Sequence, residues 1–171
     1  MSIDLGILVL RVLFGGAIAA HGAQKLFGWF GGYGIKGTGG FFDSIGFRPG
    51  TTFAALAGLS EFCGGALLIL GLFTPLGAAA VVATMIVASV SVHLRNGFFA
   101  TGNGIEVPFL YASAALGLAF TGGGAFSLDA VFALKFATEP FVVIGVLVLA
   151  VAGAAVVLAT RRQPHDQPTT T

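Results

Sequence analysis

The chain has 171 residues, of which 56% are hydrophobic and 9% charged, with a formal net charge of +1. Soluble domains carry about 25% charged residues, so most of this surface is not built to face water. The near-neutral balance and the lack of a basic run exclude a polyanion site, and no nucleic-acid partner is expected. Glycine and phenylalanine are abundant, at 27 and 17 residues, a mixture that close-packed membrane helices tolerate. The length suits one small helical bundle. Cys63 is the only cysteine, which rules out an internal disulfide or a dithiol redox pair.

A helix needs roughly 20 mostly apolar residues to cross a bilayer. Five segments qualify: Ile3–Phe27, Phe53–Phe73, Leu76–Leu94, Val107–Thr121 and Pro140–Thr160. The opening Met1-Ser2-Ile3-Asp4 lacks a basic n-region and Arg11 interrupts the apolar run, so the first segment reads as a retained helix rather than a signal peptide. Thr74-Pro75 joins the second and third segments tightly, as in a helical hairpin. Pro75 and Pro140 sit near helix starts, where a missing N–H costs least. Between the first two segments, Gly28–Thr52 is long and glycine-rich, and its Gly39–Phe47 portion reads as an amphipathic interfacial piece. Ala125–Glu139 is expected to form another interfacial helix. Gln163–Thr171 reads as a polar, disordered tail. The resulting division is a membrane domain over 1–136, an additional transmembrane helix over 137–162 and the tail over 163–171.

Lys/Arg asymmetry sets the expected orientation. With the amino terminus outside, Lys25, Lys36, Arg48, Arg95, Arg161 and Arg162 all fall on the cytoplasmic side, together with the carboxyl terminus, and Lys135 alone falls outside.

Ionisable groups inside a span are costly and are functional candidates by default. Here they are Arg11, His21, Glu61, His93 and Glu106. Arg11, His21 and Lys25 occupy an arc of roughly 80° on the first helix. With Lys25 at the interface, His21 lies roughly 6 Å and Arg11 roughly 21 Å inward; Glu61, counted from Phe53, lies roughly 12 Å inward. Side chains lean toward their helix amino termini, which favours a His21–Glu61 pair, with Arg11 reaching Glu61 or snorkelling outward past Asp4. His93 ends the third segment and Glu106 opens the fourth. The two histidines, two carboxylates, Lys25 and Asn96 are thus expected to converge on one end of the bundle. Plainer readings stand beside this one. Lys25 and Arg95 serve as interface anchors, Glu106 belongs to a capping box with Asn103, His93 sits among headgroups, and Glu61 makes a purely structural ion pair. Cys63 reads as a small buried hydrophobe.

Arg11-Val12-Leu13-Phe14-Gly15 and His21-Gly22-Ala23-Gln24-Lys25-Leu26-Phe27-Gly28-Trp29-Phe30-Gly31-Gly32 resemble the opening of DoxX family membrane proteins. Gly37–Phe42, Leu59–Gly65, Leu70–Pro75, His93, Asn96–Phe99, Glu106–Leu110 and Phe126–Asp129 extend the resemblance. The resemblance implies a four-helix membrane core, a bacterial plasma-membrane location and an association with membrane redox chemistry, including thiosulfate:quinone oxidoreductases and complexes handling thiol or oxidative stress. The matching polar positions are Arg11, His21, Gln24, Lys25, Glu61, His93, Asn96 and Glu106. Pro140–Thr160 departs from the four-helix pattern as a fifth span.

Three functions compete. In the first, the chain is a quinone-reactive oxidoreductase subunit. His21, Glu61 and Lys25 would carry the proton chemistry, and Arg11, Gln24, Trp29, His93, Asn96 and Glu106 would hold the ring. Its electrons would come from a partner subunit or bound cofactor. In the second, the chain is a non-enzymatic assembly or docking partner, acting with another subunit or a second copy. In the third, His21, Glu61, His93 and Glu106 serve as ligands to a metal or haem, although no ligand-spacing motif is present.

Overall fold

A computed structural model describes residues 2–162, all of it helix and connecting turns; the expected tail, 163–171, lies outside the described residues. The long helices are α1 (Ser2–Phe27), α3 (Gly50–Leu70), α4 (Thr74–Ala88), α5 (Glu106–Thr121) and α7 (Pro140–Ala159). Two shorter ones are α2 (Gly34–Ser44) and α6 (Leu128–Val131). The α4 segment continues through a π-helical turn, Ser89–His93, and a 3-10 turn, Leu94–Asn96. Four spans are long and apolar enough to cross a membrane: Ile3–Phe27, Gly50–Leu70, Thr74–Asn96 and Pro140–Ala159. The 16-residue α5 is apolar but shorter. The protein is an all-α integral membrane protein.

Lipid tails are as apolar as leucine, so helix association in a bilayer relies on close packing at small residues. The α1–α3 contact is built this way. A Cβ on Gly22 would lie 2.4 Å from the Phe62 nitrogen and 2.7 Å from the Gly58 carbonyl oxygen, and one on Gly65 would lie 2.5 Å from the Gly15 carbonyl oxygen. Pairing Gly15 with Gly65 and Gly22 with Gly58 makes the two helices antiparallel. Gly64 against Gly77 does the same for α3 and α4, assisted by Ser60 and Thr84, whose hydroxyls are 3.1 Å apart. Phe14, Ile18, Leu68, Val81, Leu118 and Val143 belong to one buried core shared by α1, α3, α4, α5 and α7. Lys25, the α2–α3 turn, the segment from His93 to Glu106 and the last turn of α7 therefore share one end, called here the basic end.

Two expectations need correction. Ala125–Glu139 is not a single interfacial helix. It breaks into the one-turn α6 and a 3-10 turn, Lys135–Thr138, because Asp129 is recruited to the start of α4. Cys63 is exposed on α3 rather than buried, since the neighbouring Gly64 and Gly65 take the two packed faces.

Candidate functional site

Glu61 is 3% exposed, yet its partner is Lys25, not His21: Lys25 Nζ donates to Glu61 Oε2. Helix geometry explains the exchange. The line of contact with α3 runs through Gly15 and Gly22. Lys25, three residues after Gly22, lies roughly 60° off that line, whereas His21, one residue before it, lies roughly 100° off. His21 consequently turns toward α5, where its ring centroid is 6.0 Å from that of Tyr111. Tyr111 also meets Phe14 edge-on at 5.8 Å. His21 is exposed, and among the described residues it makes no hydrogen bond. An imidazole on an apolar span, with its side chain leaning toward the bilayer centre, is open to a polar partner from outside the chain.

Around the pair, Gln24 Nε2 donates to the Phe30 carbonyl at 3.2 Å, tying the glycine-rich loop to the last turn of α1. Trp29 lies tilted against Phe27 at 4.9 Å between ring centroids, and Phe27 meets Phe62 edge-on at 5.7 Å. These rings form the apolar rim next to Lys25 and Glu61.

His93, Asn96 and Glu106 form a separate group. His93 Nδ1 lies 2.9 Å from the Asn103 carbonyl oxygen, and Asn96 Nδ2 donates to the same oxygen at 3.2 Å. A carbonyl only accepts, so Nδ1 carries the hydrogen and a neutral ring leaves Nε2 as acceptor. Glu106 accepts the Ala100 N–H at 2.7 Å. The expected capping box is replaced by a locked loop: Asn103 uses its carbonyl rather than its side chain, and Ile105 holds the N-cap position of α5.

Arg11 is also corrected. It does not approach Glu61; it is 2% exposed and serves the opposite end. Its Nη1 donates to the Leu68 carbonyl at 3.3 Å and to the Ile69 carbonyl, and its Nη2 donates to the Phe126 carbonyl. Leu68 is seven residues, or about 10 Å, along α3 from Glu61, which is too far for one side chain to serve both. A cation at the carbonyl end of α3 also suits the helix dipole. Asp129 completes this end, accepting from the Phe73 N–H at 2.7 Å, the Thr74 N–H at 3.0 Å and the Thr74 hydroxyl at 2.8 Å.

The expected convergence therefore resolves into three separate groups at the basic end: the Lys25–Glu61 ion pair, the ring contact of His21 with Tyr111, and the hydrogen-bonded loop held by His93, Asn96 and Glu106. Among the described residues no three of His, Cys, Asp and Glu gather as a metal-binding group.

The DoxX family model matches residues 6–94. The chain belongs to the DoxX family. A Bacillus subtilis (strain 168) relative named "Putative oxidoreductase CatD" is 34% identical over 128 residues, covering 75% of this chain and 87% of the relative. No solved structure matches.

The DoxX match includes Arg11, His21, Gln24, Lys25, Trp29, Glu61 and His93, and stops before Asn96, Glu106, Tyr111, Asp129 and the whole of α7. Tyr111 and Asp129 are the residues that sequence reasoning missed. One of only two tyrosines in the chain, set in an aliphatic span, was the available signal for Tyr111. For Asp129 it was the demand of α4, whose first N–H groups follow a tight turn and need an acceptor.

Proposed function

We propose that this DoxX protein is a membrane subunit of a redox system, and that it handles a quinone at the basic end of the bundle. The observation that carries the reading is the exposed imidazole of His21 beside Tyr111, without a hydrogen bond among the described residues and one turn of α1 from Lys25 and its buried partner Glu61. A quinone diffusing in the bilayer has a flat ring for the half-buried Tyr111 and a carbonyl oxygen for the imidazole. Reduction of the quinone to quinol takes two electrons and two protons. A protonated His21 can supply the two protons one after the other, taking up a fresh proton from the aqueous side of the basic end after each transfer. The electrons are to come from a partner subunit or a bound cofactor; the redox role itself is in keeping with the name of the Bacillus relative. The Lys/Arg asymmetry supports a basic end that faces the cytoplasm from the plasma membrane.

Titration of the purified protein with a short-tailed quinone analogue tests the reading. His21→Ala removes one hydrogen bond to the ligand and is expected to weaken binding by up to about tenfold. Absence of binding, or affinity indifferent to this change, refutes it. A stable complex with another subunit that persists when Lys25 and Glu61 are both neutralised would instead support a docking role.

A further inference from the structure

The fifth long helix ends on the turn between α2 and α3, and the contact is specific. The Arg162 N–H donates to the Gly46 carbonyl at 2.9 Å, and Arg161 Nε donates to the Ile45 carbonyl at 2.7 Å. The Arg161 guanidinium also sits 5.9 Å from the centre of the Phe47 ring, which is fully buried. Arg48 is the next residue in that turn. Arginines from two distant parts of the chain thereby meet at one turn, Arg161 and Arg162 held there by these contacts and Arg48 by its place in the turn. Arg48 and Arg162 are exposed and Arg161 is half-buried.

Bringing like charges together is unfavourable without an anion, and the described carboxylates of the basic half of the bundle have other partners. Asp43 accepts the Gly50 N–H at 2.8 Å, Glu61 is held by Lys25, and Glu106 accepts the Ala100 N–H. Among the described residues none of the three guanidinium groups meets a carboxylate. Their depth is also fixed. Arg161 and Arg162 follow the apolar span Pro140–Ala159 within three residues, and Arg48 precedes the span Gly50–Leu70 by two. This is headgroup level, and planar guanidinium forks match phosphate oxygens in pairs.

We propose that Arg48, Arg161 and Arg162 form a binding site for the phosphate of an anionic phospholipid, completed only when α7 docks on the α2–α3 turn. Gly46 makes that docking possible. Its φ is +97°, and a Cβ there would lie 2.1 Å from the Arg162 carbonyl oxygen. The site is independent of the quinone reading and lies outside the 6–94 family match in two of its three arginines.

Native mass spectrometry of the full-length protein in mixed micelles, with phosphatidylglycerol or phosphatidylcholine, measures retained lipid. Wild type should hold phosphatidylglycerol in preference. A basic side chain near an anionic surface contributes about fivefold in affinity, so the double variant Arg48→Gln with Arg162→Gln should lose roughly 25-fold. Gly46→Ala should also lose binding with every charge retained, whereas Arg95→Gln, on a different turn, should not. Equal retention by wild type and the double variant overturns the proposal. So does displacement of the lipid by millimolar inorganic phosphate, which would mark a free-phosphate site, or loss of a co-purifying acidic protein in place of lipid.

Discussion

The Lys25–Glu61 pair makes an asymmetric prediction about stability. The Glu61 side chain is 4% exposed and that of Lys25 is 26% exposed, so the two partners are not equally trapped. At a contact distance of about 3 Å and an effective dielectric near 20, the attraction is on the order of 5 kcal/mol before desolvation is counted. Lys25→Met leaves a carboxylate buried without a counter-charge, which costs roughly 3–5 kcal/mol. Glu61→Gln leaves an ammonium on a flexible stem near the helix end, free to reach the interface, and should cost only about 1–2 kcal/mol. The double variant should fall below the sum of the two, with a coupling energy of roughly 2–3 kcal/mol. Unfolding by SDS titration in mixed micelles, followed by loss of helix signal, measures all four corners of the cycle. Glu61→Gln costing as much as Lys25→Met, or a coupling below about 0.5 kcal/mol, would refute the claim that the pair is a buried one governed by Glu61.

Three further outcomes follow from the packing. Asp129→Ala strips the acceptor from the Phe73 and Thr74 N–H groups and should destabilise by roughly 2–4 kcal/mol in the same titration, with no effect on quinone-analogue binding at the other end. Gly22→Ala drives a methyl into the α3 backbone and should cost roughly 1–3 kcal/mol, while Gly16→Ala, with no heavy atom within 4 Å of its Cβ, should change stability by less than about 1 kcal/mol. A green fluorescent protein fused after Thr171 should fluoresce and an alkaline phosphatase fusion there should be inactive; the reverse pattern would turn the topology over.

The apolar spans were legible because hydropathy is a property of the segment itself, and the helical hairpin was legible because Thr74-Pro75 leaves no room for a longer connection. Partner choice was harder to read. Depth along the helix axis matched His21 to Glu61 well enough, but depth is one coordinate and azimuth is the other. The azimuth was written in Gly15 and Gly22, whose lack of a side chain fixes the α3-facing line and gives Glu61 to Lys25. The basic-end loop failed for another reason: Asn103 and Ala100 take part through backbone atoms, which no side-chain pattern reveals. Asp129 was misread because a carboxylate among phenylalanines suits an interfacial helix as well as it suits a cap, and only the position of the α4 N-terminus decides between them.

The two ends of the bundle use their polar groups differently, and the difference bears on the proposed quinone and lipid sites. At the amino-terminal end Asp4 takes the Ala125 N–H at 2.9 Å, Asp129 takes three donors, and both Arg11 terminal nitrogens are spent on carbonyls. Those bonds fasten the α3–α4 turn and the segment around Ser127 to α1; among the described residues only Arg11 Nε of that buried network has no partner, and Lys135 and Glu139 stand exposed beside it. At the basic end the carboxylates are equally committed, but the imidazole of His21 and the exposed guanidiniums of Arg48 and Arg162 are not. Polar groups inside or beside a bilayer rarely go unmatched, since the alternative partner is hydrocarbon. At the basic end the free groups are an exposed imidazole on an apolar span and exposed guanidiniums beside two span ends, which favours a polar ligand arriving along α1 and α5, and an anion where α7 comes to rest.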